Sequence, residues 1–93
     1  MLSEPTLFRK YYDRGDLPVA VNFNGALRKL QWKMDPEHLD YHLHLPIFFE
    51  GIRETEEPYK FLAIQGTDEL IERNPNKLLP VLPQLIIPLK STQ

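Results

Sequence analysis

Three prolines inside one apolar run constrain this chain more than any other feature. The run is NPNKLLPVLPQLIIPLK at 74–90, with Leu78, Leu79, Val81, Leu82, Leu85, Ile86, Ile87 and Leu89 set around Pro80, Pro83 and Pro88. Each proline removes a main-chain donor, which rules out a strand in the middle of a sheet. A helix can hold Pro80 near its first turn, behind Asn76 as N-cap, and can kink at Pro83. The run therefore reads as a bent, buried helix on which the other elements dock.

What precedes it divides by period. Residues 1–16 read as an N-terminal arm in which TLFRKYYD forms a helical turn or two, and Phe8, Tyr11 and Tyr12 pin the arm to the domain. Arg14-Gly15-Asp16 reads as a turn. Residues 17–93 read as a single helical, repeat-like domain with a β-hairpin at 17–33. In the hairpin Leu17, Val19, Val21 and Phe23 alternate with Pro18, Ala20 and Asn22, and Asn24-Gly25 is a favoured type I′ turn. That turn would set Phe23 opposite Ala26, Val21 opposite Arg28, Val19 opposite Leu30 and Leu17 opposite Trp32. All eight would share one face, with Arg28 as the polar exception reaching the edge.

From residue 35 the period is helical. Asp35-Pro36-Glu37 offers an N-cap, a first-turn proline and a first-turn acid, and the helix runs through HLDYHLHL until Pro46 interrupts it. A second helix carries Ile47, Phe48, Phe49 and Ile52 and ends near Thr55. A third starts at Glu57-Pro58, with Tyr59, Leu62, Ala63 and Gly66 on one stripe. Gly66 either permits close helix packing or ends the helix so that Thr67 caps another, and Asn74-Pro75 closes the unit.

Composition excludes several chemistries. The chain has no cysteine, so disulfides and cysteine-ligated metals are out. No apolar run is long and unbroken enough to span a bilayer, and MLSEPTLFRKYY lacks the layout of a secretory signal. The four glycines are scattered, so there is no phosphate loop. His38 and His42 lie four apart, a spacing that places both on one helix face and can ligate zinc. A small metal-binding domain or enzyme built on that pair is the alternative reading. Glu50, Glu54, Glu56 and Glu57 read either as a solvated charge run or as an acid/base pair.

Charge is polarised along the chain. Residues 1–33 hold six Lys/Arg against three Asp/Glu, whereas 34–74 hold three against ten. The two parts either attract each other or face different partners. The basic cluster is too small for a nucleic-acid surface and better suits an acidic protein. Candidate interface residues are Arg9, Lys10 and Arg14 on the arm, Arg28 and Lys29 on the hairpin, and Lys77, Leu85, Ile86 and Lys90 on and around the last helix.

Four stretches resemble the parkin co-regulated gene protein family of ciliated and flagellated eukaryotes. They are PTLFRKYYDRGDLPVAV at 5–21, LDYHLHLPIFFEGIRE at 39–54, PYKFLAIQG at 58–66 and NKLLPVLPQLIIPLK at 76–90. The resemblance implies a mainly α, armadillo/HEAT-like fold and a non-enzymatic axonemal role without cofactor. It implies binding to tubulin and to a small β-rich protein at the inner junction of the doublet microtubule, hence a place in the cytoplasmic cytoskeleton, in the cilium or flagellum. The chain stops at Gln93, short of the family's further helical repeats, and its hairpin is shorter and less charged than the family pattern. Repeats bury their faces against neighbours. An exposed apolar helix, and self-association through it, are therefore expected.

Overall fold

The computed structural model describes residues 5–83 and Leu85. Its elements are α1 (Leu7–Asp13), β1 (Val19–Asn24), β2 (Leu27–Trp32), α2 (Tyr41–Gly51) and α3 (Tyr59–Arg73). Short 3-10 turns at Pro36–His38, Pro75–Lys77 and Leu79–Val81 link and follow them. The described architecture is mainly α, with one two-stranded antiparallel sheet.

Among the described residues the core is centred on Phe48 of α2, and Val81 and Leu85 of the proline-rich run join it. Phe48 is fully buried, meets Phe8 edge-on at 5.1 Å between ring centroids, and stacks on Trp32 at 5.9 Å. Three elements far apart in sequence thus converge on one ring, with aromatic pairs adding to the area they bury. Helix α3 approaches closely because Gly66 faces that ring: a Cβ on Gly66 would lie 2.7 Å from Phe48 Cδ2. Gly66 is therefore a contact point inside a continuous helix and does not end it. Thr67, expected as a possible cap, turns its hydroxyl back to donate to the Ala63 carbonyl at 2.6 Å.

Helix boundaries differ from the sequence expectation around His38. Asp35 does cap its own turn, accepting from the Glu37 N–H, but that turn is 3-10 and ends at His38. Leu39 and Asp40 are extended, and Asp40 caps α2 by accepting from the His42 N–H at 3.0 Å. Two aspartates each able to cap make two starts, and the second nucleates the longer helix. Pro46 then sits inside α2 without ending it. It deprives the helix of one N–H, but Leu45, Ile47 and Phe48 beside it are all buried, and that packing holds the segment helical. Helix α2 stops at Gly51, earlier than Thr55, and the expected second helix is its C-terminal half.

The hairpin forms with a register one pair further out than expected. Val21 pairs with Leu30, Phe23 with Arg28 and Asn24 with Leu27, so the turn residues are Gly25 and Ala26. Gly25 has φ +67, and among the described residues no non-glycine residue has positive φ. A positive φ at the first central position alone is the pattern of a type II′ turn, which places glycine there; type I′ would have required it of Ala26 as well. The shift moves each partner by two, so face assignment survives: Val19, Val21, Phe23, Arg28, Leu30 and Trp32 still share a side. Only the end nearest the helices is covered. Leu17 and Val19 are buried, whereas Phe23 at the tip is 64% exposed.

The proline-rich run enters as two 3-10 turns, with Leu82, Pro83 and Leu85 helical after them. Asn76 is not a cap but lies inside the turn Pro75–Lys77, which Asn74 opens. Pro75 and Pro80, each near the start of its turn, fix φ and lack a donor, which favours short turns over one long helix. Val81 and Leu85 join the core, while Leu79 and Leu82 stay outside at 68% and 37% exposure. Ile86, Ile87, Pro88, Leu89 and Lys90 lie outside the described residues.

Candidate interaction surface

Three of the four carboxylates that read as a charge run turn out to be clamps. Helix α1 has no acidic residue in its first turn, yet its orphan N–H groups need acceptors. The C-terminal end of α2 and the loop after it supply them. Glu50 Oε1 accepts from the Leu7 N–H at 2.8 Å, and Glu54 Oε2 accepts from the Thr6 N–H at 3.2 Å and the Thr6 hydroxyl at 2.8 Å. Thr6 Oγ1 accepts in turn from the Arg9 N–H, and Arg9 forms an ion pair with Glu54 at 2.8 Å. Two carboxylates at a helix N-terminus also suit its positive end. Glu57 does the same for α3, whose N-cap Pro58 offers no side-chain acceptor: it accepts from the Phe61 N–H at 3.0 Å and pairs with Arg28 at 2.9 Å. Sequence reasoning missed the roles of Glu50 and Glu54 because donor and acceptor are 43 and 48 residues apart.

The basic candidates separate accordingly. Arg9 is committed to Glu54 and Glu56 and lies 4.3 Å from the Tyr59 ring centroid. Burial alone would lower its pKa, but Glu54 and Glu56 outweigh burial and hold it above its ordinary value. Tyr59 donates to Asp13 Oδ1 at 2.7 Å; that bond, then burial, pushes its pKa up. Arg14 pairs with Asp16 in an exposed turn at 2.6 Å. Arg28 pairs with Glu57 and lies over Phe61. Lys77 donates to the Glu37 carbonyl at 2.7 Å and sits over Tyr41, beside a shallow cavity of about 270 Å³ lined by Leu39, Asp40, Tyr41, His42, Lys77 and Pro80. Leu85 is buried, beneath any contact surface and not on it. Lys10 and Lys29 are exposed and make no ion pair among the described residues. Ile86 and Lys90 lie outside the described residues.

The premise of the zinc reading fails in the backbone. His38 ends a 3-10 turn and His42 belongs to the first turn of α2, with extended Leu39 and Asp40 between them, so they do not share a helix face. Among the described residues no three His, Cys, Asp or Glu side chains are grouped to hold a metal ion. No described helix is long and apolar enough to cross a membrane.

Among the described residues, two regions set large exposed apolar side chains near one another. One is the outer hairpin, with Phe23 and Leu27 at 64% and 65% exposure and Lys29 and Lys33 beside them. The other is the turn carrying Leu79 and Leu82. Comparison with known proteins says to whom such surfaces belong. Residues 6–92 match the family model described as Parkin co-regulated protein. The chain belongs to the parkin co-regulated protein family. It is 48% identical over 89 residues to the parkin coregulated gene protein homolog of Mus musculus, covering 96% of this chain and 37% of that protein. The chain therefore spans little more than a third of that relative's length, and the family match takes in both exposed regions.

Proposed function

We propose that this chain is a non-catalytic assembly module of the axoneme, of armadillo/HEAT-like helical type, which helps form the inner junction of ciliary and flagellar doublet microtubules by binding tubulin and a small β-rich junction protein. The observation that carries the reading is family membership across residues 6–92. The structure adds physical support. Of the four acids considered for acid/base work, Glu50, Glu54 and Glu57 serve as acceptors for main-chain N–H groups, Glu56 lies on the surface beside Arg9, and large apolar side chains at Leu79, Phe23 and Leu27 face solvent. Exposed apolar residues in neighbouring positions mark contact sites more than catalytic ones. Self-association through Leu79 and Leu82 belongs to the same reading.

Co-sedimentation with purified axonemal doublets and with reassembled microtubules tests it. The expected result is saturable pelleting with doublets that weakens as salt rises, because charged surfaces contribute to the encounter. A chain that remains in the supernatant with both polymers across the whole salt range would overturn the tubulin part of the proposal.

A further inference from the structure

We infer that the open edge of β2 receives an extended acidic segment of a partner protein as a third strand, with Lys29 and Lys33 selecting its charge. The inference deepens the assembly reading above by naming a surface and the chemistry of what docks there. The hairpin is the whole described sheet, so each strand has an unpaired edge. The Lys33 N–H donates to the Pro18 carbonyl at 2.7 Å, which makes 18 and 33 a hydrogen-bonded pair of the register. Alternation then pairs Ala20 with Gln31 and Asn22 with Lys29 through the ladder, and turns the main-chain groups of Arg28, Leu30 and Trp32 outward. Outward N–H and C=O groups in a row are a template for another strand, which favours a polypeptide over a nucleic acid or a lipid.

Charge decides the kind of polypeptide. From residue 17 to residue 34 there is no Asp or Glu, and there are three basic residues, Arg28, Lys29 and Lys33. Arg28 is neutralised by Glu57 on the covered side. Lys29 and Lys33 are exposed, make no ion pair among the described residues, and fall with Leu27 and Gln31 on the outer face of β2, since side chains alternate. A second copy offering its own β2 edge would oppose lysine to lysine, which is unfavourable. An antiparallel incoming strand with acids four residues apart would place one opposite Lys33 and one opposite Lys29, and an apolar residue two positions later would lie opposite Leu27.

The test uses the full chain and a fluorescein-labelled peptide of alternating valine and threonine that carries two glutamates four residues apart. A twin peptide has lysines in their place. Anisotropy at low salt is expected to show the glutamate peptide binding at least tenfold more tightly than the lysine twin. The Lys29→Glu/Lys33→Glu double variant, which alters only exposed side chains, is expected to reverse the preference. Hydrogen exchange should show protection of the Arg28, Leu30 and Trp32 amides on binding, and N-methylation of the peptide on its pairing edge should abolish it. Equal binding of the two peptides, or an unchanged preference in the double variant, would overturn charge selection. Unchanged amide exchange would overturn strand addition, as would preferential binding of the chain to anionic vesicles or duplex DNA. Failure to pellet with doublets leaves these outcomes unaffected, so the two proposals fail separately.

Discussion

At the residue scale, Gly66 and Glu54 show how neighbours invert ordinary expectations. In a helix interior, glycine to alanine normally gains about 1 kcal/mol. Here the added methyl would press on Phe48, which is itself buried against Phe8 and Trp32 and has nowhere to move. Gly66→Ala is therefore expected to destabilise the fold by about 1–3 kcal/mol, the usual cost of overpacking, as read from urea denaturation. Glu54 is 8% exposed and serves Thr6 twice and Arg9 once. Glu54→Gln keeps the shape but loses the charge, and is expected to cost about 2–3 kcal/mol by the same measurement, because hydrogen bonds to charged groups are the stronger ones. A substitution without measurable effect would mean that Phe8, Glu50 and the Tyr59–Asp13 bond hold α1 without it.

At the element scale, the hairpin turn and the link between α1 and α3 carry separate expectations. Gly25 holds φ +67, a conformation that costs an L-residue about 1–2 kcal/mol. Gly25→Ala should lower the urea midpoint accordingly, and Gly25→Asn should lower it less, since asparagine tolerates that region. The Tyr59 hydroxyl on α3 donates to Asp13 on α1, and this bond raises its pKa above the ordinary 10.0. An acid whose folded pKa is raised keeps its proton in the native state after the unfolded chain has lost it. Stability therefore falls as pH climbs from about 10 toward the folded value. Thermal melts of Tyr59→Phe should accordingly decline less steeply than those of the parent chain above pH 10, and parallel declines would exclude the bond as the cause. The hairpin's existence and faces were legible from alternation and Asn24-Gly25, but its register was not. The turn type depends on which residue bears positive φ, and both candidate registers bury the same face.

At the scale of the whole molecule, charge polarity is partly spent inside the fold. Arg9 pairs with Glu54 and Glu56, and Arg28 with Glu57, so the basic front closes on the acidic middle. Of the basic front, Lys10, Lys29 and Lys33 stay outward without an ion pair among the described residues, and Leu79 and Leu82 are exposed as well. Leu79→Glu/Leu82→Glu is expected to leave the melting temperature nearly unchanged, since exposed positions usually matter by about 0.5 kcal/mol or less. It should also suppress concentration-dependent association in sedimentation velocity. A large loss of stability would instead place both leucines in the core of the folded chain.

The sequence by itself determined the helical character, the hairpin and its buried face, the capping role of Asp35, and the family, because periodicity, turn chemistry and motif wording are local properties. Tertiary structure alone decided where the centre lies. Among the described residues the core forms on Phe48, because Gly66 lets α3 approach that ring while Phe8 and Trp32 close on it. It also decided that Glu50 and Glu54 clamp α1 and that Pro46 does not break α2. Each of these depends on a partner distant in sequence, or on packing strong enough to override a local preference, and neither can be read from neighbouring residues alone.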